Sequence, residues 1–163
     1  MPKKTLDITR TNPGDTIVDS DTKLFEDYKA EPGETAYVFF HTVPFEGSVG
    51  LINLLTATRM QRKGFKVTVY LFGPGVLLGS RNRGFPGVGQ EGFPGNLNFN
   101  KQLEVLLKEG ATIYVCRFAM AALYGMHEED LMDGLIPAHA LDLLDCYIKA
   151  YREHALVLNT WTL

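Results

Sequence analysis

Cys116 is the residue of this 163-residue chain with the most chemical range. It closes the run Ala111-Thr112-Ile113-Tyr114-Val115, and Ala119-Met120-Ala121-Ala122-Leu123 follows two residues later. The first stretch reads as a strand and the second as the start of a helix. The thiol then falls at the carboxyl end of a strand, the edge where open α/β sheets collect ligands. A helix start aims N–H groups at sulfur, and Arg117 adds positive charge beside it. Both favour the thiolate, which is the nucleophilic form. The competing assignment is a small buried core residue, the commonest fate of a free cysteine. Cys146 sits in a helical stretch between Asp145 and Tyr147 and reads as structural.

His41 ends an earlier apolar run, so it belongs to the same sheet edge as Cys116. There it is a candidate base or ligand contact, set against a loop histidine bonded to backbone. Glu46, in the loop that follows, is a candidate for orienting a polar ligand. Gly47-Ser48-Val49-Gly50 opens a helix whose N–H groups, with Ser48, are candidates for holding an anion. No phosphate-binding loop or dinucleotide fingerprint is present. The candidate set is therefore Cys116 as the catalytic thiol and His41, Glu46, Ser48 and Arg117 as ligand-binding residues. No metal and no cofactor are expected, because the cysteines and histidines share no metal-ligand spacing. Arg81, Arg83 and Arg117 could form an anion pocket if the long loop folds back over the edge.

These residues need a scaffold. Thr35–His41 and Phe65–Phe72 are continuous apolar, β-favouring runs of the kind buried on both faces of a parallel sheet. Between them Val49–Lys63 reads as a helix capped by Ser48 and stopped by Gly64. That helix is apolar around much of its girth, so the sheet is expected on one side and a partner on the other. Residues 73–98 read as a long loop in which Gly84-Phe85-Pro86-Gly87 recurs as Gly92-Phe93-Pro94-Gly95. A helix with Phe99, Leu103, Leu106 and Leu107 on one face ends at Gly110. His127–Gly134 reads as a capped turn and short helix. Pro137 begins the last helix, with Leu141, Leu144, Ile148 and Tyr151 on one stripe, and Ala155–Leu163 forms the final strand. The expected fold is three-layer α/β/α with a mainly parallel sheet of about five strands. Residues 1–33 are polar and turn-rich, with Thr16-Ile17-Val18 as one short strand. They read as an extension, and 34–163 as a single domain.

Composition narrows the function. The chain is 45% hydrophobic and 21% charged, with a net charge of −3. Nucleic acid is therefore not an expected partner. No apolar run reaches the ~18 residues of a membrane span, and the basic opening Met1-Pro2-Lys3-Lys4 is not expected to act as a signal peptide, since no apolar segment follows it. Two well-separated cysteines make neither a disulfide framework nor a zinc site, so a reducing cytoplasm is expected.

Two resemblances add to this. Ile113-Tyr114-Val115-Cys116, Glu128-Glu129-Asp130-Leu131-x-x-Gly134 and Leu71-Phe72-Gly73 resemble the DsrE/DsrF/TusD-like superfamily. That resemblance implies a three-layer sheet, oligomers and, in the sulfur-relay members, a persulfide-carrying cysteine at the position of Cys116. Here Arg117-Phe118-Ala119-Met120 follows, where some of those members have further cysteines. The segments Phe40-His41-Thr42-Val43-x-Phe45-Glu46-Gly47-Ser48, Gly73-Pro74-Gly75-Val76, Cys116-Arg117-Phe118-Ala119 and Asn159-Thr160-Trp161-Thr162 resemble a small bacterial nitrogen-starvation response family encoded beside a nitrilase. That resemblance implies a cytoplasmic role in nitrogen limitation and in nitrile or cyanide nitrogen use. The leading expectation is a DsrE-like small-ligand-binding or regulatory homo-oligomer. The alternatives are a thiol-based persulfide carrier using Cys116 and a structural partner of the nitrilase. Trp161 and the aromatic loop add to the case for self-association.

Overall fold

The computed structural model describes residues 25–44, 47–81 and 99–161. Five strands pair into one sheet: β1 Thr35–His41, β2 Lys66–Leu71, β3 Thr112–Cys116, β4 Ile136–Ala138 and β5 Leu156–Trp161. Their order is β4-β3-β2-β1-β5, and every pairing is parallel. Three α-helices cover it: α1 Gly47–Arg62, α2 Phe99–Lys108 and α3 Asp142–Arg152. The architecture is the expected α/β fold with a parallel sheet and flanking helices.

The central strands β1, β2 and β3 form where apolar, β-favouring residues are largely buried on both faces. Ala36, Val38 and Phe40 alternate with Tyr37 and Phe39, and all five are buried. On one face α1 contributes Leu51, Leu54, Ala57 and Met60 to the core, and α2 contributes Leu103 and Leu106. Gln102 on α2 donates to the Thr58 hydroxyl at 2.5 Å, and Arg62 pairs with Glu109 at 2.6 Å. So α2 supplies the second cover of α1 that the sequence assigned to a partner, and Ile52 is left exposed. Among the described residues, α3 is the α-helix on the opposite face. Tyr147 stacks on Phe39 with ring centroids 3.6 Å apart and donates to Asn159 on β5 at 2.7 Å.

Several details differ from the sequence reading. Pro137 does not begin a helix: it lies in β4, and α3 starts at Asp142. A proline is tolerated there because β4 is an edge strand with one side free of ladder bonds. The fifth strand is therefore β4, whereas Thr16-Ile17-Val18 lies outside the described residues. The loop expected over 73–98 begins instead as a 3-10 helix, Gly73–Gly79, with Val76, Leu77 and Leu78 buried. The Gly-Phe-Pro repeats lie outside the described residues. Helix α1 starts at Gly47, which places Ser48 inside its first turn rather than before it. The stops at Gly64 and Gly110 hold, both at positive φ. Residues 25–33 run beside the end of α1, where Ala30 N–H donates to the Lys63 carbonyl and the Lys63 ammonium donates to Asp27.

Candidate functional site

Strand direction and side-chain alternation assemble the site. The chain leaves β1 for β2 through α1 on one face and returns to the other side of β1, as β5, through α3 on the opposite face. The strand order thus reverses between β1 and β5. The carboxyl ends of such a pair frame the crevice where ligands bind in open sheets.

His41 and Trp161 are paired in register at that reversal. Their ring centroids are 4.5 Å apart, and the Phe72 ring lies 5.0 Å from the imidazole and 5.8 Å from the indole. The His41 N–H donates to the Thr160 hydroxyl at 3.0 Å. Phe72 continues the β2 ladder by donating its N–H to the Phe40 carbonyl. Gly73 follows at φ +50, and a methyl group there would collide with the imidazole. The close approach of turn and ring therefore depends on glycine.

Cys116 ends β3 opposite Ala138. Continuing the register Phe40↔Leu71 and Leu71↔Val115 by one step places Cys116, Phe72 and His41 in one row. Alternation turns all three toward the α3 face. Cys116 and His41 are two strands apart, about 10 Å at ordinary strand spacing, with Phe72 between them. The structure thus places both candidates on one edge and one face but does not join them as a nucleophile–base pair, which needs direct hydrogen-bond reach. Cys116 is 6% exposed. Phe118 has helical φ and ψ, and the helix that follows is a single π-type turn, Ala119–Leu123. Arg117 is engaged by the Glu128 carboxylate, which raises the guanidinium pKa and offsets the charge the sequence reading offered to the thiol. Arg81 likewise pairs with Asp133 at 2.8 Å and donates to the Leu131 carbonyl. Glu46, the Ser48 side chain and Arg83 lie outside the described residues.

On the same sheet face lies a pocket that the sequence did not reveal and that none of the row's three side chains lines. Tyr37, Thr68, Tyr70, Tyr114 and Ala138 form its sheet side, and Asp142, Asp145, Cys146 and Lys149 its α3 side, around a volume of about 260 Å³. Two of the tyrosines also anchor α3. The Tyr70 hydroxyl donates to the His139 carbonyl at 3.2 Å, just before the helix, and the Tyr37 hydroxyl donates to Glu153 at 2.9 Å, just after it. Burial is the main cause that raises both phenol pKa values, so both stay protonated through the neutral range. Burial also pushes the Cys146 thiol up to about 11. The signal in the sequence was a single tyrosine in each of three largely apolar runs, Tyr37, Tyr70 and Tyr114. Such residues put an aromatic wall and a polar tip on one sheet face.

Comparison with known proteins supports the fold. No protein-family model matches the chain, and no curated protein matches it in sequence. Among solved structures, the YchN protein of E. coli superposes with a TM-score of 0.63 at 18% identity, covering 78% of this chain and 99% of that one. MTH1491 of Methanobacterium thermoautotrophicum, a protein of unknown function, superposes with a TM-score of 0.58 at 16% identity, covering 78% of this chain and all of that one. The chain therefore has the DsrE-like α/β fold.

Proposed function

We propose that this chain is a small-ligand-binding protein of the nitrogen-starvation response, working as a cytoplasmic homo-oligomer linked to nitrile or cyanide nitrogen use. The observation that carries ligand binding is the tyrosine-sided pocket between the sheet and α3, with carboxylates and an ammonium on its helical side. Small-ligand sites have this form, a mostly apolar wall with a few placed polar groups. The nitrogen-starvation setting rests on the sequence segments that resemble that family. Among the described residues no helix is long and apolar enough to cross a membrane.

Native mass spectrometry of the protein isolated from nitrogen-starved cells tests this reading. The expected result is a bound small-molecule mass that disappears in Cys146→Phe, which fills the pocket. A ligand-free spectrum from starved cells counts against the reading, as does a ligand retained by the filled pocket.

A second reading, a persulfide carrier, is favoured by the place of Cys116 at the carboxyl end of β3 in a DsrE-like fold. In that step the Cys116 thiolate attacks the outer sulfur of a donor persulfide. A new S–S bond forms, and the donor leaves as its thiolate. The chemistry requires Sγ to be uncovered, since the residue is buried in the described chain.

A further inference from the structure

Helix α3 carries two apolar stripes. Leu143, Tyr147 and Ala150 pack with the core. Leu141, Leu144, Ile148 and Tyr151 point away from it and are 70%, 63%, 37% and 80% exposed. The sequence placed these four on one stripe, and the structure turns that stripe outward. Their spacing, three, four and three residues, is that of a coiled-coil seam. The tyrosine pocket occupies the flank of α3 toward β2 and β3, whereas Tyr147 reaches Asn159 on β5. The outer stripe therefore lies on the β5 side. There Val157 and Trp161, in register with Tyr37 and His41, add further exposed apolar surface on the same sheet face.

We propose that this stripe is the contact between two copies of the chain, with their α3 helices antiparallel about a two-fold axis. The spacing reads the same in both directions. A reversed second copy thus sets Leu141 of one chain opposite Tyr151 of the other, and Leu144 opposite Ile148. Charge selects the same arrangement. The first turn of α3 carries Asp142 and Asp145, and the last turn carries Lys149 and Arg152. Asp142, Asp145 and Lys149 lie on the pocket flank, so these charges act between whole helix ends and not as pairs across the stripe: antiparallel crossing brings acidic ends toward basic ends, whereas parallel crossing sets like on like. The helix dipoles also oppose favourably when antiparallel. A two-fold contact of this kind is self-complementary, as an isologous interface must be. The proposal rests on the oligomeric part of the reading above and is independent of the ligand.

Sedimentation of the full chain, with Leu144→Glu, Ile148→Lys and the double variant, tests it. The wild type is expected to be dimeric or a multiple of dimers. Each single variant is expected to weaken association at least about 100-fold, because it presents an unpaired charge to an apolar contact. The double variant is expected to recover association, since antiparallel pairing sets the new acid of one copy opposite the new base of the other. A monomeric wild type overturns both this proposal and the oligomeric reading. An oligomer indifferent to the single variants overturns the surface alone, and a double variant no better than the singles overturns the antiparallel arrangement. Hydroxyl-radical footprinting of the wild type reads the same surface without substitution. Leu144 and Tyr151 are expected to gain labelling on dilution, and unchanged labelling overturns the proposal.

Discussion

The imidazole of His41 lies against the indole of Trp161, with ring centroids 4.5 Å apart, at the point where the strand order reverses. Trp161 is the chain's single tryptophan, so its fluorescence reports on this crevice alone. The contact sets the surroundings of the indole ring. The Trp161 emission is expected to shift in His41→Ala, which removes the imidazole, and to stay near that of the wild type in His41→Phe, which keeps a ring against the indole. Identical emission from all three proteins would show that this contact does not set the environment of Trp161.

Gly73 fixes the same crevice from the other side. Two glycines of positive φ separate the costs there: Gly73 at +50 faces the His41 ring, and Gly125 at +59 faces open space. Replacing either by alanine strains the backbone, but only Gly73→Ala also forces a methyl group into the imidazole. Gly125→Ala is expected to cost about 1 kcal/mol. Gly73→Ala is expected to cost a further 1–3 kcal/mol or so from overpacking, and to alter the Trp161 emission. Urea unfolding of the two variants measures the difference, and equal losses would mean that the ring moves aside freely.

Four of the five strands were legible because long apolar, β-branched runs have few other stable fates in a chain of this length. β4 was not, because Ile136-Pro137-Ala138 is three residues long and contains a proline, which reads as a helix start unless the edge position is known. The outer stripe of α3 was legible as a stripe. Periodicity shows which residues share a face but not whether the face is covered. The same limit misassigned the girth of α1, whose second cover is α2. In the site, the edge positions of His41 and Cys116 followed from the strand ends, while their separation by Phe72 required the register. The pocket required the placement of α3 on that face, since one tyrosine in each of three neighbouring strands suits a packed layer equally well.

The two thiols are expected to respond differently to reagents. Cys146 has its pKa raised from 9.0 to about 11, first by burial and then by the Glu153 and Asp142 charges, against a lowering by Lys149. The contribution of a raised pKa to stability is complete below the unfolded value and is lost as pH climbs toward the folded one. Between about pH 9 and 11 the unfolded chain therefore sheds a proton that the folded chain retains, and stability falls. The wild type is expected to lose stability more steeply across that window than Cys146→Ala, with unfolding midpoints measured at each pH. The comparison isolates the thiol, because the buried tyrosines are common to both proteins. Native alkylation of Cys146 is expected to rise toward a midpoint near 11. Cys116, covered in the row beside Ala138 and Phe72, is expected to react at least about tenfold more slowly in the folded protein than after denaturation, since labelling must await local opening. Mass spectrometry of the two cysteine peptides separates the outcomes. Rapid native labelling of Cys116 would mean that its sulfur reaches solvent, which is the access the persulfide reading requires.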